Sequence, residues 1–248
     1  MCPVCGGTGW KIVERDEISG AERCDCQYAE RMKRLEVNAG IPVLYQQASF
    51  DNFKLPDDNP VARSGLASVM LTVKSFVRDY PSDKKPGLLL IGEPGTGKTH
   101  LAVAALRMLL GRGFEGYFFD YQTLLDRIRA GYDPTSHSSA KEAYTFALET
   151  ELLMLDDLGA HRVTDWVEDT VTSIITHRCN NRKPLIATTN LSDPDAETPG
   201  EGTGGKLYSR TTLSERIGSR ARSRLFEMCR VVRMPLVEDF RVRKSARF

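Results

Sequence analysis

The run Gly92-Glu93-Pro94-Gly95-Thr96-Gly97-Lys98-Thr99 is where residue type and spacing first dictate chemistry. Its glycines let the backbone wrap an anion with N–H groups turned inward. Lys98 then reaches the β- and γ-phosphates of ATP, and Thr99 offers a hydroxyl to Mg2+. His100 completes the set expected against the nucleotide. A loop of this kind needs an acidic partner on a neighbouring strand. Leu152 to Leu155 supplies an apolar strand that ends in Asp156 and Asp157. Asp156 is placed to hold the water shell of Mg2+, and Asp157 to orient and polarise the attacking water. A third strand, Leu185 to Thr189, ends at Asn190, whose amide can bond that water or the γ-phosphate. Catalysis from such parts is positioning and charge neutralisation at the γ-phosphoryl group. Arg216, Arg220, Arg222 and Arg224 offer a further cation, and Arg224 stands just before the last strand, where a finger into an adjacent subunit would sit.

A second group of chemistry-bearing residues crowds the start of the chain. Cys2 and Cys5 form a Cys-x2-Cys pair, and Cys24 and Cys26 a Cys-x-Cys pair. Two short pairs, each delivering two thiolates to one side of an ion, suit a tetrahedral Zn2+ site with no open position, which makes it structural. Gly6, Gly7 and Gly9 can turn backbone N–H groups toward the sulfurs. Zinc would replace the core that so short a module cannot build. Cys179 and Cys229 are expected to be ordinary half-buried residues.

These groups must be positioned by regular elements. Helical patterns cover Gln27 to Glu36, Ala62 to Asp79 (Leu66, Val69, Val73, Phe76 and Val77 on one side), Thr99 to Leu110, Gln122 to Ala130, Thr164 to Arg178 and Ser214 to Phe226. Short apolar runs at Gly87 to Ile91, Gly116 to Phe119, Glu151 to Leu155, Leu185 to Thr188 and Cys229 to Met234 alternate with them. That alternation predicts an α/β fold: a five-stranded, mostly parallel sheet flanked by helices. The expected division is a zinc-binding module with a short helix over 1–38, a connector over 39–60 and the P-loop domain over 61–248. Ser192 to Lys206, rich in Gly, Pro, Asp and Glu, reads as a surface loop.

Composition sets the outer limits. With 248 residues, 41% hydrophobic and 27% charged, the chain can bury a core and is not a disordered one. No apolar run suits a membrane helix, and Met1-Cys2-Pro3 does not open a signal peptide, so a cytoplasmic protein with no membrane role is expected. The net charge of +1 hides an asymmetry: Lys206 to Phe248 carries +8 and the remainder −7. A basic end beside an acidic body suits a polyanion or a complementary subunit.

Gly92 to Thr99, the Asp-Asp-Leu-Gly of 156–159 and Ile186 to Leu191 together resemble the DnaC/IstB group of AAA+ ATPases. The stretch from Gly40-Ile41-Pro42 to Phe53 is similar to the group's lead-in, and Ser223-Arg224-Leu225 to its arginine-finger box. The four-cysteine head is similar to that of DnaC-type helicase loaders. The resemblance implies an ATPase that assembles side by side and delivers a hexameric replicative helicase onto single-stranded DNA. By motif match, Lys98 and Thr99 would bind ATP and Mg2+, Asp156 would be the Walker B aspartate, Asn190 sensor 1 and Arg224 the finger, with Arg220 as the fallback. The helix after Asp157, near Trp166, is similar to the inserted helix with which loaders line a DNA channel. Asp157 stands where most AAA+ proteins have Glu, which implies slow or partner-dependent hydrolysis. Only 14 residues follow Met234, too few for a helical lid.

Two other functions fit the same residues. One is an IstB-like helper of a DNA transposase, against which the cysteine head speaks. The other is an adaptor that senses nucleotide with little turnover. The zinc module is net acidic, which favours a protein partner over DNA there.

Overall fold

The structure is a computed structural model that describes residues 2–15, 18–82, 84–130, 139–193 and 211–245. It opens with a hairpin of β1 (Trp10–Arg15) and β2 (Ile18–Arg23), paired antiparallel from Trp10↔Arg23 to Arg15↔Ile18. The hairpin escapes hydrophobic patterning because sulfur, not apolar packing, lies beneath its open end. Helix α1 (Asp25–Asn38) follows and buries no side chain fully.

Five parallel strands form the sheet: β3 (Gly87–Ile91), β4 (Gly116–Asp120), β5 (Leu152–Asp156), β6 (Leu185–Thr189) and β7 (Cys229–Arg233), in the spatial order β4-β5-β6-β3-β7. The registers put Leu89 beside Ala187, Leu155 beside Ala187 and Leu90 beside Val232. The central strands read as unbroken apolar runs because both faces are covered. Successive side chains point to opposite faces, so each strand feeds two cores. Leu88, Leu90, Met154 and Ile186 pack under α2 (Pro60–Arg78) and α3 (Lys98–Gly111). Leu89, Leu153, Leu155 and Ala187 pack under α4 (Tyr121–Ala130), α6 (Asp165–Asn180), α7 (Leu213–Ile217) and α8 (Ser219–Met228). Cutting any of these leucines to Ala costs about 2–5 kcal/mol.

Ala39, Ile41, Ala48 and Phe50, from the segment between α1 and α2, are buried in the first of these cores. The cysteine-bearing end is tied to the same layer through α1. Glu36 accepts from Arg107 of α3 at 2.6 Å, and Tyr28 donates to the Gly111 carbonyl at 3.3 Å.

The structure corrects three expectations. The stretch expected as one helix, Ser214 to Phe226, is two, because Gly218 adopts φ +82° and breaks the run into α7 and α8. Cys229 is fully buried, not half-buried, since β7 is a sheet strand covered on that face. Helix α5 (Ser139–Glu149) was not anticipated. Of the loop 192–206, residues 194–206 lie outside the described residues, as do 207–210 and 246–248 of the basic end. Ser192 and Thr212 form an isolated parallel bridge. No helix among the described residues is long and apolar enough to cross a membrane.

Candidate functional site

The order β5-β6-β3 brings the C-terminal ends of three central strands side by side, and each hands its next residues to one pocket. From β3 comes the glycine loop. Gly95 (φ +75°) and Gly97 (φ +93°) take left-handed conformations that only glycine adopts cheaply, and Gly97 caps α3. The loop therefore delivers the free N–H groups of the α3 N-terminus to its own concavity.

Lys98 folds back into that concavity, where its Nζ donates to the Glu93 carbonyl at 2.8 Å. It is buried, and among the described residues it ion-pairs with no carboxylate. Burial holds its pKa down at about 8, against a pull upward from Asp157 and Asp156. A buried ammonium that ends on one carbonyl is a site prepared for an anion.

From β5 comes Asp156. Its Oδ1 accepts from Thr99 at 2.9 Å and from Thr188 of β6 at 2.6 Å. Burial raises its pKa, and the two hydroxyls oppose that shift. Thr99 spends its proton on Asp156, so its oxygen lone pairs remain for a cation. Thr99 and Asp156 are thus a hard-oxygen pair of the kind that holds Mg2+ directly or through water.

Asp157 turns the other way. Its φ of +54° lifts the side chain off the strand direction, and its N–H donates to Thr188 Oγ1 at 3.0 Å. From β6, Asn190 Nδ2 donates to Asp157 Oδ1 at 3.0 Å. Asp157 and Asn190 therefore form one polar unit beside the phosphate loop, able to hold a water between an acceptor and a donor. The sequence reading missed Thr188, though two threonines ending an apolar strand were a signal.

Tyr45, at the end of a short 3-10 turn (Val43–Tyr45), was missed as well. It lies beside Thr99, and burial raises its pKa, with Asp156 pushing the same way. Gly40-Ile41-Pro42 before it was the available signal. His100 turns out of the loop: its Nε2 meets the Ser49 carbonyl at 2.9 Å, and its ring lies 5.5 Å from Phe53. Its side chain thus belongs to the wall made by the lead-in. Glu93 and Pro94 form the rim, with the Glu93 carbonyl also accepting from Thr96 at 2.8 Å.

The four arginines part company. Arg222 makes a two-pronged pair with buried Asp193, at 2.6 and 2.7 Å, and stacks on Phe226. Arg216 donates to the His161 carbonyl at 3.4 Å. Arg224 is paired with Glu227 at 2.6 Å on its own helix. Arg220 projects exposed from the first turn of α8. The helix after Asp157 is α6, and its inner side packs on the sheet through Val167, Val171, Ile174 and Ile175. In its first two turns the exposed residues are Asp165, Glu168 and Asp169, so that surface repels a polyanion. Trp166 is partly buried, with the Arg129 guanidinium 5.0 Å from its ring centroid.

Cys2, Cys5, Cys24 and Cys26 come together with all four sulfurs within 4.8 Å of one another. A tetrahedron with Zn–S bonds of 2.3 Å has edges of about 3.8 Å. The Cys2–Cys24 separation is 3.8 Å and Cys5–Cys26 is 3.4 Å, so the donor set fits zinc. The Gly9 N–H donates to Cys5 Sγ at 3.3 Å, and this bond leads in drawing the Cys5 pKa down to about 6. Gly6, Gly7 and Gly9 all have positive φ, which permits that turn. Trp10 is half exposed, beneath Arg23.

The chain is similar to several known proteins. The family described as IstB-like ATP binding protein matches residues 31–195. The phage-like element PBSX protein XkdC of Bacillus subtilis is 26% identical over 84% of this chain and 78% of its own length. The replicative helicase loader DnaC of Escherichia coli K12 is 24% identical over 74% of this chain and 73% of its own. YqaM of B. subtilis, an uncharacterised protein 25% identical over 76% of this chain, is matched over 60% of its length. A crystal structure of the DnaC helicase loader is 31% identical, with a TM-score of 0.62, covering 78% of this chain and all of that one. DnaI, at 22% identity and a TM-score of 0.58, shares the fold. Phosphate loop, acidic strand end and five-stranded sheet thus stand in a matched whole, and the chain belongs to the IstB-like, DnaC-related family of ATP-binding proteins.

Proposed function

We propose that this protein is an ATPase that loads a hexameric replicative helicase onto single-stranded DNA. The observation that carries the reading is the likeness to the DnaC loader structure over its entire length, at 31% identity. The geometry of the site supports it. Lys98 neutralises the β- and γ-phosphates of ATP from inside the loop, and Thr99 and Asp156 hold Mg2+. The bound ion supplies charge neutralisation at the γ-phosphoryl group. Asp157 orients the attacking water, and Asn190 fixes the Asp157 carboxylate while sensing the γ-phosphate. Asp157 is one methylene shorter than a glutamate, so turnover is slow until a partner settles the site.

The finger that completes a neighbour's site falls to an exposed arginine of α8. Arg224 matches the motif, but Glu227 holds it; Arg220 is not so held and is the better finger. Self-association through the ATPase domain follows from that role. The four cysteines bind a structural zinc, and the acidic module they fold docks the helicase. The basic α8 surface, rather than acidic α6, meets DNA.

Native mass spectrometry with the host's hexameric helicase, with and without ATP, tests the reading. A defined complex that is lost when Cys2 and Cys5 are both changed to Ser is the expected result. Absence of any complex under every nucleotide condition overturns it. The family description favours a second reading, an IstB-like helper of a transposase, and a preference for duplex over single-stranded DNA would select that one.

A further inference from the structure

The chain after β7 stays beside the phosphate loop. Met234 N–H donates to the Ile91 carbonyl at 2.8 Å, at the end of β3 where the loop begins. Gly92 lies so close to Met234 that a Cβ there would strike its side chain. Pro235 rests on Gly65 of α2, and Val237 packs against the first core. The strap so anchored leads into helix α9 (Phe240–Ser245). Asp239 caps that helix, its Oδ1 accepting from the Arg241 N–H at 2.8 Å, and its carboxylate lies against Gly95. The first N–H groups of a helix have no acceptor within it. That of Phe240 goes to the Gly95 carbonyl at 3.2 Å.

This one bond fixes a peptide plane of the loop. A trans peptide is flat, and its C=O and N–H point in opposite directions. The Gly95 carbonyl is drawn out to the strap, so the N–H of the same plane, that of Thr96, is turned away from the strap and into the loop. The glycine backbone would not hold such a plane unaided. Gly95 and Gly97 flank Thr96 at φ +75° and +93°, and glycine passes between left- and right-handed φ at little cost. The Thr96 hydroxyl proton is already spent on the Glu93 carbonyl at 2.8 Å, so its N–H is the donor left for an anion.

We infer that Phe240 is a positioning residue of the phosphate site. Its backbone N–H holds the Gly95 carbonyl outward and so presets the Thr96 N–H toward a bound phosphate. The side chain takes no part, and the ring is 42% exposed. The inference rests on the phosphate reading of the loop proposed above.

Phe240→Pro removes this N–H at the first position of a helix, where proline's missing donor and fixed φ are tolerated. Proline also requires an extended residue before it, as a capping residue is. Calorimetric binding of ATP with Mg2+ compares it with the wild type and with Phe240→Ala, which keeps the N–H and loses the ring. Phe240→Pro is expected to bind ATP about fivefold more weakly, the share of one neutral hydrogen bond. Phe240→Ala is expected to bind as the wild type does. The melting temperature of nucleotide-free Phe240→Pro should stay within about 2 °C of the wild type, because the bond lies at the surface. Where proline disturbs the fold, an ester in place of the 239–240 amide removes the same N–H from the full chain and should show the same loss. Unchanged affinity in the proline or ester form overturns the inference while leaving ATP binding by the loop intact. An equal loss in Phe240→Ala makes the ring responsible and also overturns it. If the wild type binds no ATP, the loop reading falls first and the inference with it.

Discussion

Thr188 and Asp156 share a 2.6 Å hydrogen bond between adjacent strands, and the same Thr188 oxygen accepts the N–H of Asp157. One hydroxyl on β6 thus sets the positions of both carboxylates at the end of β5. Thr188→Val keeps the volume and removes both bonds. It is expected to cost about 1–3 kcal/mol, since a buried carboxylate loses a donor and a backbone N–H its acceptor. ATP turnover should fall further than ATP affinity, because Asp157 is the group left unplaced. Thr188→Ser should restore both. Thermal unfolding with steady-state hydrolysis checks this, and an unchanged melting temperature and rate in Thr188→Val would refute it.

Lys98 makes nucleotide binding depend on pH in a definite direction. Its pKa is about 8 in the structure, below the ordinary 10.5, because it is buried. Phosphates beside it raise that value on binding. Affinity for ATP should be level below pH 8 and weaken above it, by up to about tenfold per pH unit, as binding comes to require proton uptake. The sign reverses for the stability of the nucleotide-free chain. The unfolded state binds the proton more tightly there, so this lysine's penalty is full below pH 8 and relieved between pH 8 and 10.5. Calorimetry in buffers of different ionisation enthalpy measures the uptake, and Lys98→Met should abolish it.

Arg178 is fully buried and gives its guanidinium to the carbonyls of Ala147, Leu148, Thr150, Glu151 and Pro184. Burial lowers its pKa to about 10, yet it keeps its charge at neutral pH. It pins α6 to the end of α5 and to the turn entering β6. Arg178→Met leaves five carbonyls short of a donor and is expected to cost about 3–5 kcal/mol, or roughly 10 °C in melting temperature. Loss of less than about 1 kcal/mol in denaturant unfolding would show that these carbonyls find other donors.

The four thiols predict one zinc per chain. Elemental analysis of the purified protein should give a ratio near one, and Cys5→Ser and Cys24→Ser should abolish it. Without metal, the hairpin β1–β2 has too little buried apolar surface to stay folded, so limited proteolysis should cut within residues 2–23. The α/β domain carries its own two cores, and ATP affinity should stay within about twofold. Four freely reactive thiols in the native, untreated protein would contradict the site.

Much was legible without coordinates. The glycine loop, the apolar run ending in Asp156-Asp157 and the polar end of β6 are local patterns, each dictated by what a strand or a loop must do on its own. The alternation of five short apolar runs with helices carried the fold class, because a sheet covered on both faces keeps its strands mostly apolar up to their C-terminal ends. The paired cysteines carried the four-sulfur cluster by spacing.

Other features exist only through tertiary contact. Thr188 matters because β6 lies beside β5, a pairing between residues some thirty apart that no local pattern encodes. Asp239 meets Gly95 because the chain after β7 is anchored on α2 and crosses the loop; in sequence it is one acid in a basic run. Gly218 splits a helix that periodicity joined, since its φ of +82° answers to the packing of α7 and α8 on α6. Arg178 is in sequence only the end of a helical pattern, and five carbonyls converging from residues 147–151 and from Pro184 offset the burial of its charge. The sequence by itself determined which groups are able to do chemistry, because that depends on residue type. The structure decided which residues hold those groups in place, because that depends on contacts between segments remote along the chain.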